Sequence, residues 1–456
     1  MKVALVIPPA WSTYMPPLGA AYIASALRTS GHEVTVFDYN VDILPIIHPD
    51  QSEMWERKHL NNWSIQNLFD KNLRNKVMKL LWPRLQRDLL INKFDVIAFS
   101  MYTTSTPTTN FIVKILRKFG CKAKIVLGGP SVVKEHMVPW FEQGLIDAAV
   151  LGEGESAAQE LINRIGRKEQ YENIPGVMTM HNFKFPPQAK LMEMDTLVIP
   201  DFTDYDLDKY IEKSLPIQMS RGCTAACSFC SETYLFRSRP PESIVKEFEI
   251  GYEKFGNTYF NVADSLINSS AKFTKEVCEL LVERNLPIKW GGNARLDKFL
   301  TRELLDLMAK AGCHYLSFGL ESGSNKVLKL MRKGIRAEGA AQVLKDTYEA
   351  GIIANVNILV GFPGEEEEDF QDTLDFLEQN KKYIKGVSPG GTLGIGVGSH
   401  IHRRPQKYNI KLNNDDSIFY DDTLGWVTED GRNTEPVRFE RLERLKKFLF
   451  ANDMHI

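Results

Sequence analysis

Cysteine is scarce in this chain, six residues among 456, and three of the six fall within eight positions. So few thiols in so long a chain do not build a disulfide framework, and a reducing compartment would keep them available as ligands. Charge of either sign is not in excess: 56 basic against 58 acidic residues leave a formal net charge of -2. That offers no positive field for a nucleic-acid backbone or an anionic membrane. No apolar run reaches the ~20 residues that cross a bilayer, and the opening MKVALVIPPAW lacks the long apolar core and cleavage site of a signal peptide. The sequence thus reads as a cytoplasmic protein with no membrane span and no nucleic-acid partner. Internal repeats and low-complexity tracts are also missing. With 43% hydrophobic residues, the chain has apolar material for two or three globular domains.

What is present begins as an alternation of short apolar runs and helical patterns: KVALVI, LGAAYIASALRTSG, HEVTVFD, then DVIAFS, AKIVLGG and DAAVLGEGE. Strands separated by helices imply a parallel sheet with right-handed crossovers. An insertion at about residues 41–92 carries Trp55, Trp63 and Trp82 and reads as extra helices with aromatic core anchors. From residue 166 the rhythm weakens, and IPGVMTMHNFKFPPQAK with DTLVIPDFTDYD reads as a linker over 166–205. A second alternation follows: LPIQMS, NTYFNVA, PIKWGG, CHYLSFGLES, IIANVNILVGFPGE and KGVSPGG. Six βα units suit a partial TIM-type (β/α)6 barrel over 206–397, with chemistry at the C-terminal strand ends. A mostly helical region, 398–456, ends in the basic amphipathic pattern RFERLERLKKFLF.

The cysteine triplet, Cys223, Cys227 and Cys230 in SRGCTAACSFCSE, follows the first strand of the second series and therefore sits in a top loop of that barrel. Zinc prefers a closed tetrahedral set, and a structural site needs a fourth Cys or His at short spacing. The next cysteine is Cys278 and the nearest downstream histidine is His314. An iron-sulfur cube held by three thiolates leaves one iron open to a small molecule. Cys121, Cys278 and Cys313 lie in strand or helix patterns and read as packing thiols.

This spacing, C-x-x-x-C-x-x-C with aromatic Phe229 before the last cysteine, resembles the signature loop of radical S-adenosylmethionine (SAM) enzymes. The resemblance implies a [4Fe-4S] cluster on Cys223, Cys227 and Cys230, with SAM chelated at the open iron and cleaved to a 5'-deoxyadenosyl radical. It also implies an electron donor such as flavodoxin or ferredoxin, and a small-molecule substrate. Four further stretches resemble the family in order: YFNVADSLIN, GGNARLD, SFGLESGSNKVLKLMRKG and NILVGFPGEEEEDF. A bound SAM needs donors for its carboxylate, acceptors for its ammonium and ribose, and an apolar slot for adenine. Asp264, Arg295, Glu321, Ser322 and the turn from Gly361 to Pro363 are the candidates. Glu321 has a competing reading as a helix cap and Arg295 as a local ion-pair partner. The acidic run Glu365–Asp369 reads as a solvated helix start.

The N-terminal series resembles the cobalamin-binding domain that precedes one large class of radical SAM enzymes. MPPLGAAYIASALRTSGHEVTVFD, DVIAFSMYTTSTPTT, IVLGGPSVV and IDAAVLGEGE match its elements in order, giving a Rossmann-like domain over 1–165. The residues implied as cobalamin contacts are Pro17, Leu18, Gly19, Ser100, Thr103, Gly128, Gly129, Pro130, Ser131, Gly152, Glu153 and Gly154. Glycines clustered after consecutive strands are what an open parallel sheet needs to bring backbone close to a ligand. The family's Asp-x-His-x-x-Gly string does not occur, Ser131 stands after the Gly-Gly-Pro, and His136 reads as a surface residue. The implied activity is a cobalamin-dependent radical SAM methyltransferase that moves methyl from methylcobalamin to an unactivated carbon. The alternative is a radical SAM enzyme of the same layout that dehydrates, cyclises, epimerises or rearranges, with or without bound cobalamin. A zinc- or RNA-binding module is the reading from a different class, and the missing fourth ligand and neutral charge count against it. His400, His402, Arg403, Arg404, Tyr408 and Trp426 lie where relatives place substrate-facing segments. A basic surface loop is the competing reading of the paired arginines.

Overall fold

The computed structural model describes residues 1–44, 54–55, 60–232, 235–412 and 423–454. The chain divides into two compact units, Met1–Lys213 and Ser214–Ile456.

The first unit is built on a six-stranded sheet. Its strands are β1 (Lys2–Ile7), β2 (Glu33–Asp38), β3 (Val96–Ser100), β4 (Lys124–Gly128), β5 (Ala148–Val150) and β6 (Val177–Thr179), in the order β2-β1-β3-β4-β5-β6. The first five are mutually parallel and β6 is antiparallel to β5. KVALVI is buried after its first residue, as a strand covered on both faces must be. The chain leaves β1 for β2 on one side and returns to β3 on the other, so the order reverses between β1 and β3, where open α/β sheets form a crevice. The expected linker belongs to this unit: residues 166–213 supply β6 and then fold back on the first helix, Leu18–Thr29. Arg28 Nη1 pairs with Asp201 at 2.7 Å, the Ser25 hydroxyl donates to the Ile199 carbonyl at 2.6 Å, and the Tyr210 hydroxyl donates to Asp38 at 2.8 Å. Polar contacts of this kind hold a segment down where apolar periodicity is weak, which is why the sequence pattern showed only turns.

Of the 41–92 insertion, the structure shows helices Leu60–Ser64, Gln66–Asn72 and Arg74–Leu85. Trp63 is fully buried, and its indole N–H donates to the Met54 carbonyl at 2.8 Å. Trp82 departs from the expected core role. It is half-exposed and packs against Phe119, itself largely exposed, with ring centroids 5.0 Å apart.

In the second unit, strands β7 (Leu215–Ile217), β8 (Tyr259–Val262), β9 (Lys289–Ala294), β10 (Cys313–Glu321), β11 (Ile353–Val360) and β12 (Gly386–Thr392) form a second sheet. They pair in sequence order and all in parallel. Among the described residues β12 does not pair with β7, so the topology is that of an open, six-stranded partial barrel. Helices Pro241–Phe255, Ala271–Arg284, Arg302–Lys310, Ala337–Glu349 and Glu367–Asn380 fill the crossovers. Cys278 and Cys313 are buried packing thiols as expected, and Cys121 is half-buried. The C-terminal helix, Glu435–Ala451, is not a simple amphipathic rod, because Arg438 and Arg441 are buried. Arg441 Nη1 lies 2.9 Å from Glu365 Oε1, and Asp369 bonds the Ser324 hydroxyl at 2.7 Å and Lys326 at 2.7 Å. Glu365 and Asp369 are therefore buried partners and not the solvated charges that a helix start alone suggests. No helix among the described residues is long and apolar enough to cross a membrane.

Candidate active site

Beyond β7 the chain forms a small hairpin, Ser220–Arg221 against Arg237–Ser238, and the cysteine loop hangs from its mouth. Asp264, just past β8, holds the base of this hairpin. Its carboxylate accepts from the Met219 N–H at 2.8 Å and from the Ser220 hydroxyl. It is 1% exposed, and burial raises its pKa to about 6. The structure thus places Asp264 beneath the loop, already engaged, and not open toward a ligand. On the hairpin's other arm, Arg239 donates to the Gln218 carbonyl at 2.8 Å and pairs with buried Glu247, whose pKa burial lifts to about 7.

The loop's midpoint is fixed by Ser228. Its N–H donates to the Met331 carbonyl at 2.8 Å, and its carbonyl accepts from the Ile401 N–H at 3.0 Å. All three loop cysteines are free thiols, Cys223 and Cys227 half-buried and Cys230 exposed. The Ala225 N–H lies 3.3 Å from Cys223 Sγ, and the Glu232 N–H lies 3.3 Å from Cys230 Sγ. Burial raises the pKa of Cys223 and Cys230, and each also feels the neighbouring thiols. Among the described residues no three side chains are gathered tightly enough to form a ready metal cage. The three thiols are neighbours on one anchored loop.

Around this loop the strand ends bring three of the predicted residues together. Glu321 ends β10 with φ +70, a left-handed backbone that a non-glycine residue adopts only where its surroundings impose it. Its carboxylate does not cap a helix. It meets Lys333 Nζ at 2.9 Å, with both side chains largely buried. The same ammonium lies 5.8 Å from the centroid of the Phe229 ring, within cation–π range. Sequence reading missed Lys333; the available signal was a basic residue just past the short helix Asn325–Leu330, close to the loop that Glu321 opens. Arg295 has no carboxylate partner among the described residues, and its charge reaches Cys223. Gly361 adopts φ +80, and a Cβ there would lie 2.3 Å from Arg438 Cγ. Its neighbour Phe362 packs edge-on to Phe229, centroids 6.5 Å apart. Ser322 is not part of this group: it is buried, with its hydroxyl 3.1 Å from that of Thr373.

In the first unit, the predicted residues separate into three groups. Ser100, Thr103, Gly128, Gly129, Pro130 and Ser131 lie together beyond β3 and β4, with the Thr103 and Ser131 hydroxyls 3.0 Å apart. Gly129 has φ +105, and a Cβ there would fall 2.5 Å from the Met101 carbonyl oxygen. A Cβ on Gly128 would meet nothing within 4 Å, so the turn is tight on its inner side and open on its outer one. Trp11 stacks on Tyr102 at 3.6 Å beside it. Gly152 and Glu153 instead lie beside the chain that follows β6, and Gly154 lies against Ile23 of helix Leu18–Thr29. A Cβ on Gly152 would come 3.1 Å from Ala189, and Glu153 accepts the Met192 N–H at 2.5 Å. Pro17, Leu18 and Gly19 form the start of helix Leu18–Thr29, where the Pro17 carbonyl accepts from the Ala21 N–H at 3.2 Å. His136 is exposed on helix Lys134–Glu142, as expected of a surface residue.

Comparison with known proteins agrees with this geometry. Residues 217–377 match the radical SAM superfamily. An uncharacterised methyltransferase of Pyrococcus horikoshii is 26% identical over 396 residues, spanning 83% of this chain and 78% of that protein. Two solved structures share the fold. The radical S-adenosylmethionine methyltransferase TsrM of Kitasatospora setae, with cobalamin and a [4Fe-4S] cluster bound, has TM-score 0.69 and 19% identity, covering 91% of this chain and 81% of that one. The cobalamin-dependent S-adenosylmethionine radical enzyme OxsB, with aqua-cobalamin bound, has TM-score 0.73 and 18% identity, covering 99% and 67%. The three free thiols, on an anchored loop at the C-terminal edge of six parallel strands, lie within the segment, residues 217–377, that matches the radical SAM superfamily.

Proposed function

We propose that the chain is a cobalamin-dependent radical SAM methyltransferase that methylates an unactivated carbon of a small molecule. The observation that carries the reading is the cysteine loop itself. Three free thiols sit on a loop tied down through Ser228 and Asp264, and Phe229 of that loop lies beside the Lys333–Glu321 pair. The donor set fits an iron-sulfur cube with one iron left for SAM, because the loop carries three cysteines and no fourth Cys or His at short spacing. When bound, cluster and SAM supply a carbon-centred radical, and cobalamin supplies the methyl group. The chain's own residues bind and orient. Cys223, Cys227 and Cys230 would hold the cluster. Arg295 and Lys333 would offer cations to a carboxylate, Glu321 an acceptor to ammonium or ribose hydroxyls, and Phe229 with the Gly361 turn an apolar slot. In the first unit, the open outer side of Gly128 and the Thr103 and Ser131 hydroxyls would receive the corrin.

Anaerobic reconstitution with iron, sulfide and hydroxocobalamin tests this. The expected protein retains both an iron-sulfur chromophore and the corrin bands after desalting, and with SAM and a reductant it yields 5'-deoxyadenosine. Incubation with deuterated candidate substrates, followed through to label in 5'-deoxyadenosine, then identifies the carbon attacked. A protein that keeps no corrin sinks the methyltransferase proposal, and one that keeps no cluster sinks the radical chemistry.

A further inference from the structure

Three segments distant in sequence meet at Ser228. Through its backbone bonds to Met331 and Ile401, the loop between Cys227 and Cys230 is joined to Arg332 on one side and to the turn 400–408 on the other. The third segment is markedly cationic. Residues 400–412 hold four lysines and arginines and no aspartate or glutamate, in a chain whose net charge is -2. The turn is built rigidly. Ser399 caps the helix His400–Arg403, the His400 ring bonds the Tyr408 hydroxyl at 2.8 Å, and Tyr408 packs edge-on to Phe362 at 6.3 Å, which packs on Phe229. Arg332, Arg403, Arg404 and Lys407 all stand exposed on this backing. Among the described residues none of the four has a carboxylate partner. Their charges converge on one place: partial burial and then Arg332, Arg404, Lys407 and Arg403 together hold the His400 pKa below its ordinary value.

A cluster of like charges with no counter-ion among the described residues costs stability through self-repulsion. These side chains project from the surface, whereas a small-molecule site encloses most of its ligand. What suits an exposed, rigidly backed, cationic face is a partner that brings its own acidic surface, since complementary charge steers encounter and sets register. We propose that Arg332, Arg403, Arg404 and Lys407 form the docking face for an acidic one-electron donor protein of the flavodoxin or ferredoxin type. The face adjoins the loop that carries Cys230, the most exposed of the three thiols. This inference rests on the radical SAM reading, because only an iron-sulfur site on that loop needs an electron delivered there.

The experiment uses the full-length reconstituted protein and an acidic flavodoxin as probe. Titrated at low and at high ionic strength, the wild type should bind tightly at low salt and lose affinity about tenfold or more at high salt. The triple change R403E/R404E/K407E should weaken binding at low salt by about tenfold or more and flatten the salt dependence. The milder R403Q/R404Q/K407Q should fall between, which keeps the test decisive if charge reversal disturbs folding. K272E/K275E, on the helix Ala271–Arg284, should bind like wild type. SAM cleavage driven by titanium(III) citrate should be the same in the wild type and the triple variants. Flavodoxin binding that is salt-independent, or unchanged in the triple variants, overturns the proposal. So does an equal loss of titanium-driven cleavage, which would assign the cations to the reaction site. A wild type that assembles no iron-sulfur chromophore overturns the radical SAM reading instead, and the salt-dependent binding still decides the docking face.

Discussion

Both six-stranded sheets put their candidate residues at the C-terminal ends of parallel strands, but they furnish them from different atoms. In the first unit, the group beyond β3 and β4 consists of glycine backbone and hydroxyls, with Gly129 pressed against the Met101 carbonyl. In the second unit, thiols, a carboxylate and two cations gather around the loop anchored at Ser228. A large, mostly neutral ligand needs close backbone approach and shape, whereas a metal cluster and a zwitterion need specific charges. The two sites should therefore fail in different ways when altered.

The largest contrast comes from the thiols. Replacing Cys223, Cys227 or Cys230 with Ala should remove the iron-sulfur chromophore and all SAM cleavage, while circular dichroism and corrin retention by the first unit stay as in the wild type. SAM cleavage that survives any one of these changes breaks the assignment. Next comes Lys333→Met. Leaving Glu321 buried without its partner should cost about 3 kcal/mol in urea unfolding and weaken SAM binding to the reconstituted protein by tenfold or more. The double change Glu321→Gln with Lys333→Met should cost less stability than the sum of the two singles, which would confirm the pair by double-mutant cycle. In the first unit, Gly129→Ala should cost about 2 kcal/mol through positive φ and the approach to Met101. Corrin retention should fall with it, and the iron content of the second unit should not change.

The smallest expected effect concerns Asp38, at the end of β2. Burial raises its pKa to about 6 from an ordinary 3.8, against the hydrogen bonds from Tyr210 and Asn40. The folded state therefore holds this proton more tightly than the unfolded chain. Stability from this group is present at low pH and is lost as pH rises from about 4 to about 6, opposite to the usual carboxylate trend. Asp38→Asn cannot ionise. The wild type should lose on the order of 2 kcal/mol relative to this variant between pH 4 and pH 7, read by urea unfolding. A pH-independent difference would place the proton elsewhere.

How much of this was legible beforehand differs between the units for the same reason. All six strands of the second sheet were visible from the regular alternation of short strand patterns with amphipathic helical segments. The cysteine loop was visible because metal-ligand spacing is local. The strand Val177–Thr179 was not visible: three residues among prolines and turns carry no period. Nor was the burial of Glu365 and Asp369, whose partners Arg441 and Lys326 lie tens of residues away. Asp264 showed the same limit. Its position after a strand suggested ligand contact, but only the folded chain brings Met219 and Ser220 onto its oxygens.

By itself the sequence determined the α/β alternation, the three-thiol loop and its place after the first strand of the second sheet. It also determined that the Asp-x-His-x-x-Gly string is absent and that Ser131 follows the Gly-Gly-Pro. Each of these is a matter of residue type and local spacing. Only the tertiary structure decided that residues 166–213 belong to the first unit, that Glu321 faces Lys333, and that Ser228 joins the loop to Arg332 and the basic turn. Those pairings depend on long-range closure, where hydrogen bonds and charges that look independent along the chain find each other only after the sheets have formed.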